Sequence, residues 1–130
     1  RKPTRRYHHI SLFSGAGGTD IGLEYAGFKT VFSNDIEEDA VETYLHNNPE
    51  ARTHATCGDI TKLKLPKIKD DIDLLTAGFP CQPFSKSGNQ LGVSETRGTL
   101  FYNILRIIET KKPKIVLLEN CFQESLLITN

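Results

Sequence analysis

Short apolar runs along this chain alternate with longer segments whose apolar residues recur every three or four positions. That alternation predicts strands separated by helices. His8 to Phe13 (HHISLF) reads as a first strand, ending at the turn Ser14-Gly15-Ala16-Gly17-Gly18. Thr19 or Asp20 can cap a helix that runs through Ile21 and Leu23 to Ala26, with Gly27 as its stop. Thr30 to Ser33 (TVFS) reads as a second strand, and after Asp35 the residues Ala40, Val41, Tyr44 and Leu45 lie at helical spacing. A short third strand covers Ala55 to Cys57 and ends at Gly58-Asp59. Lys62 to Lys69 is basic, contains Pro66 and reads as loop or a brief turn. Ile72 to Ala77 (IDLLTA) and Ile115 to Leu118 (IVLL) have the character of buried strands. Between them, Phe79 to Thr99 carries Gly88, Gly92 and Gly98 and is expected to be mostly loop, followed by a helix from Leu100 to Thr110 that ends at Lys111-Lys112-Pro113.

Strands spaced by helices require crossover connections, so the fold class is α/β with a parallel sheet and flanking helices. The glycine turn, Asp35, Asp59 and the turn Pro80-Cys81-Gln82 each follow directly on a strand. They therefore gather at the carboxyl edge of the sheet, where open α/β folds bind ligands. In this topology the fourth strand lies beside the first, on the side away from the second, which sets a crevice at that edge.

Composition narrows the class without deciding it. At 130 residues, with 38% hydrophobic and 25% charged positions, the chain has the make-up of one soluble globular domain. No apolar run approaches the roughly 20 residues of a membrane span, and no signal peptide is visible. The three cysteines, Cys57, Cys81 and Cys121, form no CxxC pair, which argues against a disulfide scaffold and a structural zinc site; no metal is expected. Net charge is zero, so charge alone does not announce a nucleic-acid partner. Arg1, Lys2, Arg5 and Arg6 form either a solvated tail or an arm that contacts phosphates.

The candidate chemistry sits at the strand ends. Gly15 and Gly17 match the first two glycines of a dinucleotide fingerprint, but Asp20 stands where its third would be, and no Walker lysine follows. What survives is backbone that a ligand can approach closely, ahead of a helix N-terminus. Asp35, 20 residues after Gly15, can accept ribose hydroxyls or cap its helix. Asp59 can accept from an adenine amino group or close an Asx turn. Phe13 can lie against an adenine ring or in the core. Cys81, framed by Pro80 and Pro83, is either a structural thiol or a nucleophile, and a thiolate in the crevice splits one hard step into two. Glu119, at the end of the next strand, can donate a proton to a ring nitrogen while the thiolate adds to the ring.

Together these residues resemble the cytosine-5 DNA methyltransferase family. The matching stretches are SLFSGAGG with GLEYAGF, the strand-end Asp35, GDI at Gly58 to Ile60, GFPCQPFS at Gly78 to Ser85, RGTLF at Arg97 to Phe101, and KPKIVLLEN at Lys112 to Asn120. They stand in the family's order and cover about Ile10 to Asn120. The resemblance implies a Rossmann-like S-adenosylmethionine-dependent methyltransferase fold and double-stranded DNA as substrate. It implies S-adenosylmethionine held by Phe13, Gly15, Ala16, Gly17, Gly18, Asp35, Ile36, Asp59, Ile60, Pro80 and Leu100. It further implies that Cys81 adds to carbon 6 of a flipped cytosine, that Glu119 serves ring nitrogen 3, and that carbon 5 takes the methyl group. Pro80, Ser85, Ser87, Gln90 and Arg97 would meet the base or the DNA, from a loop over Ser85 to Thr99 that closes on it.

Beyond Asn120 the family pattern stops: Cys121 replaces a valine and ENCFQESLLITN follows. Residues 1–130 therefore read as the N-terminal part of the catalytic domain, without a later arginine motif, the target-recognition region or the closing asparagine motif. A sheet cut after about five strands would expose an edge on Ile115 to Leu118. The expectation is a complementary C-terminal chain, self-association through that edge, an excerpt of a longer chain or a remnant. The tail FQESLLI is either a cover for the edge or a shifted reading frame. The resemblance favours a prokaryotic, cytoplasmic, nucleoid-associated DNA enzyme of a restriction-modification system. A tRNA cytosine-5 methyltransferase of the same family and an inactive module that binds cofactor or a partner chain are the alternatives.

Overall fold

A computed structural model describes residues 6–68, 71–78, 90–120 and 124–129, with the backbone alone for 90–98, 120 and 124–129. The chain runs β1 (Tyr7–Leu12), α1 (Gly18–Tyr25), β2 (Phe28–Asp35), α2 (Glu38–Asn47), β3 (Ala55–Cys57), β4 (Leu74–Gly78), α3 (Gln90–Lys111), β5 (Ile115–Asn120) and β6 (Glu124–Thr129). Short 3-10 turns cover Pro49–Thr53 and Ile60–Lys62. The strands form one sheet in the order β3-β2-β1-β4-β5-β6. Its first five are parallel, and β4 lies beside β1 opposite β2, as the alternation of elements requires. The strand order thus reverses between β1 and β4, which sets the expected crevice at the carboxyl ends of those strands.

The two faces of the sheet differ in chemistry. Ile10 and Leu12 of β1, Leu75 and Ala77 of β4 and Val116 and Leu118 of β5 pack with Ile104 and Ile107 of α3 in one apolar core. Neighbouring residues in a strand point to opposite faces, so His9, Ser11 and Thr76 turn the other way, toward α1 and α2. There the contacts are polar: the His9 ring bridges Thr30 and Thr76, and Ser11 reaches Asp20 of α1. The α3 side supplies the hydrophobic drive, at about 1.5–3 kcal/mol for each fully buried Ile or Leu. Along the β3–β4 connection Leu63, Leu65 and Ile68 lie against that core, while Lys62, Lys64 and Lys67 between them are exposed.

Three expectations need correction. The sheet does not stop at β5. Residues 124–129 form β6 and pair antiparallel with β5, from Ile115 with Thr129 to Asn120 with Glu124. The edge expected to stand open on Ile115 to Leu118 is thus occupied by the chain's own tail, as the reading of FQESLLI as a cover for that edge anticipates. The backbone hydrogen-bonding groups of a buried-type strand take whatever strand is near, and the tail is nearest in sequence. Second, α3 begins at Gln90 rather than Leu100, so Gln90 and Arg97 belong to a helix and not to a loop. Gly92 and Gly98 lower helix propensity by about 1 kcal/mol each but do not forbid it. Third, neither Thr19 nor Asp20 caps α1: Gly17 is the cap residue, with φ 92°, and no side chain bonds there.

Candidate active site

At the end of β1 the backbone turns through an unusual sequence of conformations. Phe13, Gly15 and Gly17 all have positive φ, at 55°, 57° and 92°. Glycine adopts these angles without strain, whereas a phenylalanine at φ 55° is held there at a cost of about 1–3 kcal/mol. Ser14 N donates to Asn34 O at 3.0 Å, keeping the turn beside β2, and Gly17 N donates to Ser14 O at 3.1 Å. Gly17 O then accepts from Ile21 N, so the turn runs directly into α1.

Asp35 closes the arrangement from the next strand. Its Oδ2 accepts from Gly15 N at 2.8 Å and its Oδ1 from Glu37 N at 2.9 Å. The carboxyl group thus joins the glycine turn to Glu37, the cap residue of α2, without capping the helix itself. A carboxylate offers about four acceptor positions, so two remain for hydroxyls of a bound molecule. Around it the surface is open: a Cβ added at Gly15, Gly18 or Gly58 would meet nothing within 4 Å. Ala16 is exposed on the same turn, and Ile36 stands 60% exposed beside Asp35 as an apolar platform. An adenosyl group needs close backbone approach, a ribose acceptor and an apolar surface for its ring, and these residues fit one.

Asp59 caps the 3-10 turn at Ile60–Lys62. Its Oδ1 accepts from Thr61 N at 2.9 Å and from Thr61 Oγ1 at 2.8 Å, and these bonds hold its carboxyl below the usual carboxylate range. The Asx-turn reading is therefore the one the geometry displays. Ile60 has its side chain in the core, at 4% exposure, and its carbonyl accepts from Arg106. Leu100 is partly buried against the same core.

The other half of the edge brings β1, β4 and β5 together. Leu12 pairs with Ala77 and Gly78 with Glu119. A small cleft of about 40 Å³ opens there, lined by Phe13, Ser14, Thr19, Gly78 and Glu119 among others. Phe13 and the exposed Glu119 thus line one cavity. Pro80, Cys81, Ser85 and Ser87 lie outside the described residues, with Cys81 three positions beyond Gly78 in sequence. Gln90 and Arg97 lie in α3, described there by backbone alone. Among the described residues no group of three or more His, Cys, Asp or Glu is gathered as a metal would need. None of the described helices is long and apolar enough to cross a membrane.

Sequence reasoning missed a buried cluster behind the glycine turn. Asp20, 5% exposed, accepts from Ser11 Oγ and from Tyr44 OH, each at 2.6 Å. Burial first, and then the bond to Asp20, raise the Tyr44 phenol well above its ordinary pKa. The only signal was a tyrosine at an apolar helical position, since a buried phenol needs a partner for its hydroxyl. A second cavity, of about 300 Å³, reaches this cluster from the amino ends of β1 and β2, past Arg6, Lys29, Glu50 and His54. It contains none of the residues with candidate chemistry at the carboxyl edge.

Comparison with known proteins assigns this architecture to a family. The model for the C-5 cytosine-specific DNA methylase family matches residues 7–123. The Type II methyltransferase M.PspPI of Psychrobacter sp. (strain TA137) is 44% identical over 119 residues, 92% of this chain and 28% of that protein. The Type II methyltransferase M.HhaI of Haemophilus parahaemolyticus is 47% identical over 111 residues, 85% of this chain and 32% of that protein. Among solved structures, the Dnmt2 methyltransferase of S. pombe superposes with a TM-score of 0.62 at 32% identity, covering 88% of this chain and 36% of that one. The chain thus spans about a third of the length of the relatives it matches.

Proposed function

The chain belongs to the C-5 cytosine-specific DNA methylase family, and from that premise we propose that it is the cofactor-binding and nucleophile-bearing part of an enzyme that methylates carbon 5 of cytosine in double-stranded DNA. One observation carries the reading: the Asp35-tied glycine turn and the Phe13–Glu119 cleft share one sheet edge. The motif GFPCQPFS continues from that edge, directly after β4. The Type II methyltransferases among its relatives support DNA as substrate and a restriction-modification setting.

S-adenosylmethionine, when bound, supplies a methyl group on a sulfonium that is ready to leave. Phe13, Gly15, Ala16, Gly17 and Gly18 would take it against their backbone, with Asp35 on the ribose, Ile36 against the adenine, and Asp59 and Ile60 at the adenine's polar edge. Pro80 and Leu100 would border the same space. Cytosine must leave the duplex stack for its ring to be reached. The Cys81 thiolate then bonds to carbon 6, breaking the 5,6 double bond and leaving carbon 5 electron-rich. Glu119 holds a proton at ring nitrogen 3, which draws charge from the ring. Carbon 5 bonds to the methyl group as the methyl–sulfur bond breaks, and loss of the carbon 5 proton with departure of the thiolate restores the 5,6 double bond of the methylated base. Ser85, Ser87, Gln90 and Arg97 would contact the DNA.

The test is transfer of labelled methyl from S-adenosylmethionine to DNA, by this chain alone and mixed with the C-terminal portion of a relative. Activity in the mixture, abolished by Cys81→Ser, is the expected result. Labelling of tRNA but not DNA would move the substrate, and no transfer to either by any mixture would remove the enzymatic reading.

A further inference from the structure

Asp20 is a buried carboxyl group whose recorded partners are two neutral hydroxyls. Oδ1 takes Ser11 of β1 and Oδ2 takes Tyr44 of α2, and among the described residues no Lys or Arg forms an ion pair with it. Burying a carboxyl on such terms is costly, and for stability alone apolar residues of similar volume do as well or better. Its place in the fold supplies another reason. Asp20 lies in the first turn of α1, directly behind the glycine turn, and Tyr44 lies directly beneath that turn.

The contact at Gly17 is close. A Cβ built there would sit 2.7 Å from both Cδ2 and Cε2 of the Tyr44 ring. The ring is therefore a floor on which the left-handed Gly17 rests, and the hydroxyl at its far end is fixed by Asp20. Gly17, Asp20 and Tyr44 make a closed circuit through α1 and α2. Asp35 holds the turn at its other end, through Gly15 N. Because α2 follows Asp35 and carries Tyr44, one helix controls both points of attachment.

We propose that Asp20, acting through Tyr44, is a positioning residue that sets the backbone of the glycine turn for S-adenosylmethionine. The inference rests on the cofactor reading above and deepens it. Ser11 provides the internal comparison: it bonds the same carboxyl group from β1, but the atoms nearest a Cβ at Gly17 all belong to Tyr44. A merely structural role for Asp20 makes Ser11 and Tyr44 equivalent, whereas a positioning role separates them.

The experiment uses the 130-residue chain with Tyr44→Phe, Asp20→Asn, the double variant and Ser11→Ala. Affinity for S-adenosylmethionine and S-adenosylhomocysteine is measured calorimetrically, Tm by thermal melting, and the amide resonances of Gly15 and Gly17 by NMR without ligand. Tyr44→Phe and Asp20→Asn are expected to raise Kd about 3- to 10-fold and to shift both glycine amides. The double variant is expected to do no more than the worse single one. Ser11→Ala is expected to lower Tm while leaving the Gly17 amide resonance in place; Tyr44→Phe, which keeps the ring, decides the matter if Asp20→Asn does not fold. A wild type that binds while Tyr44→Phe binds equally well, or Ser11→Ala shifting the Gly17 amide as much as Tyr44→Phe, overturns the positioning role alone. A folded wild type that binds neither ligand overturns the cofactor reading, and this inference with it.

Discussion

His9 is wholly buried, and its two ring nitrogens meet Thr30 Oγ1 at 2.9 Å and Thr76 Oγ1 at 2.7 Å. A neutral imidazole serves both contacts, donating at one nitrogen and accepting at the other. Burial lowers its pKa from 6.5 to about 4, against a smaller opposing pull from Asp20. Between those values the unfolded chain binds the proton and the folded chain does not, so stability falls as pH drops from about 6.5 toward 4. At roughly 1.4 kcal/mol per pH unit the loss is on the order of 3 kcal/mol. Burial shifts His54 in the same direction, so it adds to the trend. Urea unfolding at pH 7 and pH 4.5 checks this, and in His9→Gln most of the difference between the two should vanish. Gly17 offers a sharper test. Alanine there meets both a left-handed φ and the Tyr44 ring, and should cost about 2–4 kcal/mol, read as a fall in Tm. At this scale the sequence revealed what depends on local order: Gly15, Gly17 and Asp35 follow strands, and the 20-residue spacing of Gly15 and Asp35 is closed by a hydrogen bond between them. It concealed Asp20 with Tyr44, because nothing local says that residues 24 apart share a hydrogen bond.

Strands with a continuous apolar run were readable as elements. IDLLTA and IVLL became β4 and β5 because a strand covered on both faces needs apolar residues throughout. The first ten residues of α3 were not readable, since Gly92 and Gly98 mimic a loop wherever packing is left out of account. Nor was β6 readable as a strand, because an antiparallel edge strand is defined by the neighbour it finds. Its pairing with β5 leads to a test at this scale. Removing residues 124–129 should bare the backbone of β5 and produce dimers or larger aggregates, detected by light scattering on a sizing column. A truncated chain that stays monomeric at the same concentration would mean that β5 does not need the pairing.

Across the whole molecule, the sheet separates two tasks. The α3 side holds an apolar core, and the α1 and α2 side holds hydrogen-bonded polar groups under the glycine turn. The candidate site lies between them at the carboxyl edge, where β5 brings Glu119 and β2 ends at Asp35. The alternation of elements and the strand-end positions of Gly15, Asp35 and Glu119 foretold that edge; they could not foretell which face would be polar.

The tail strand also bears on timing. Any complementary half that continues the sheet must seat a strand where β6 already sits, so assembly becomes strand exchange rather than simple docking. Release of β6 is a first-order event within one chain. The rate of complementation should therefore level off as the partner's concentration rises, and a chain lacking residues 124–129 should instead show a rate that climbs in proportion. Stopped-flow mixing over a range of partner concentrations distinguishes the two. A protein with its own strand in the next place along the sheet would wait on itself before it could join another.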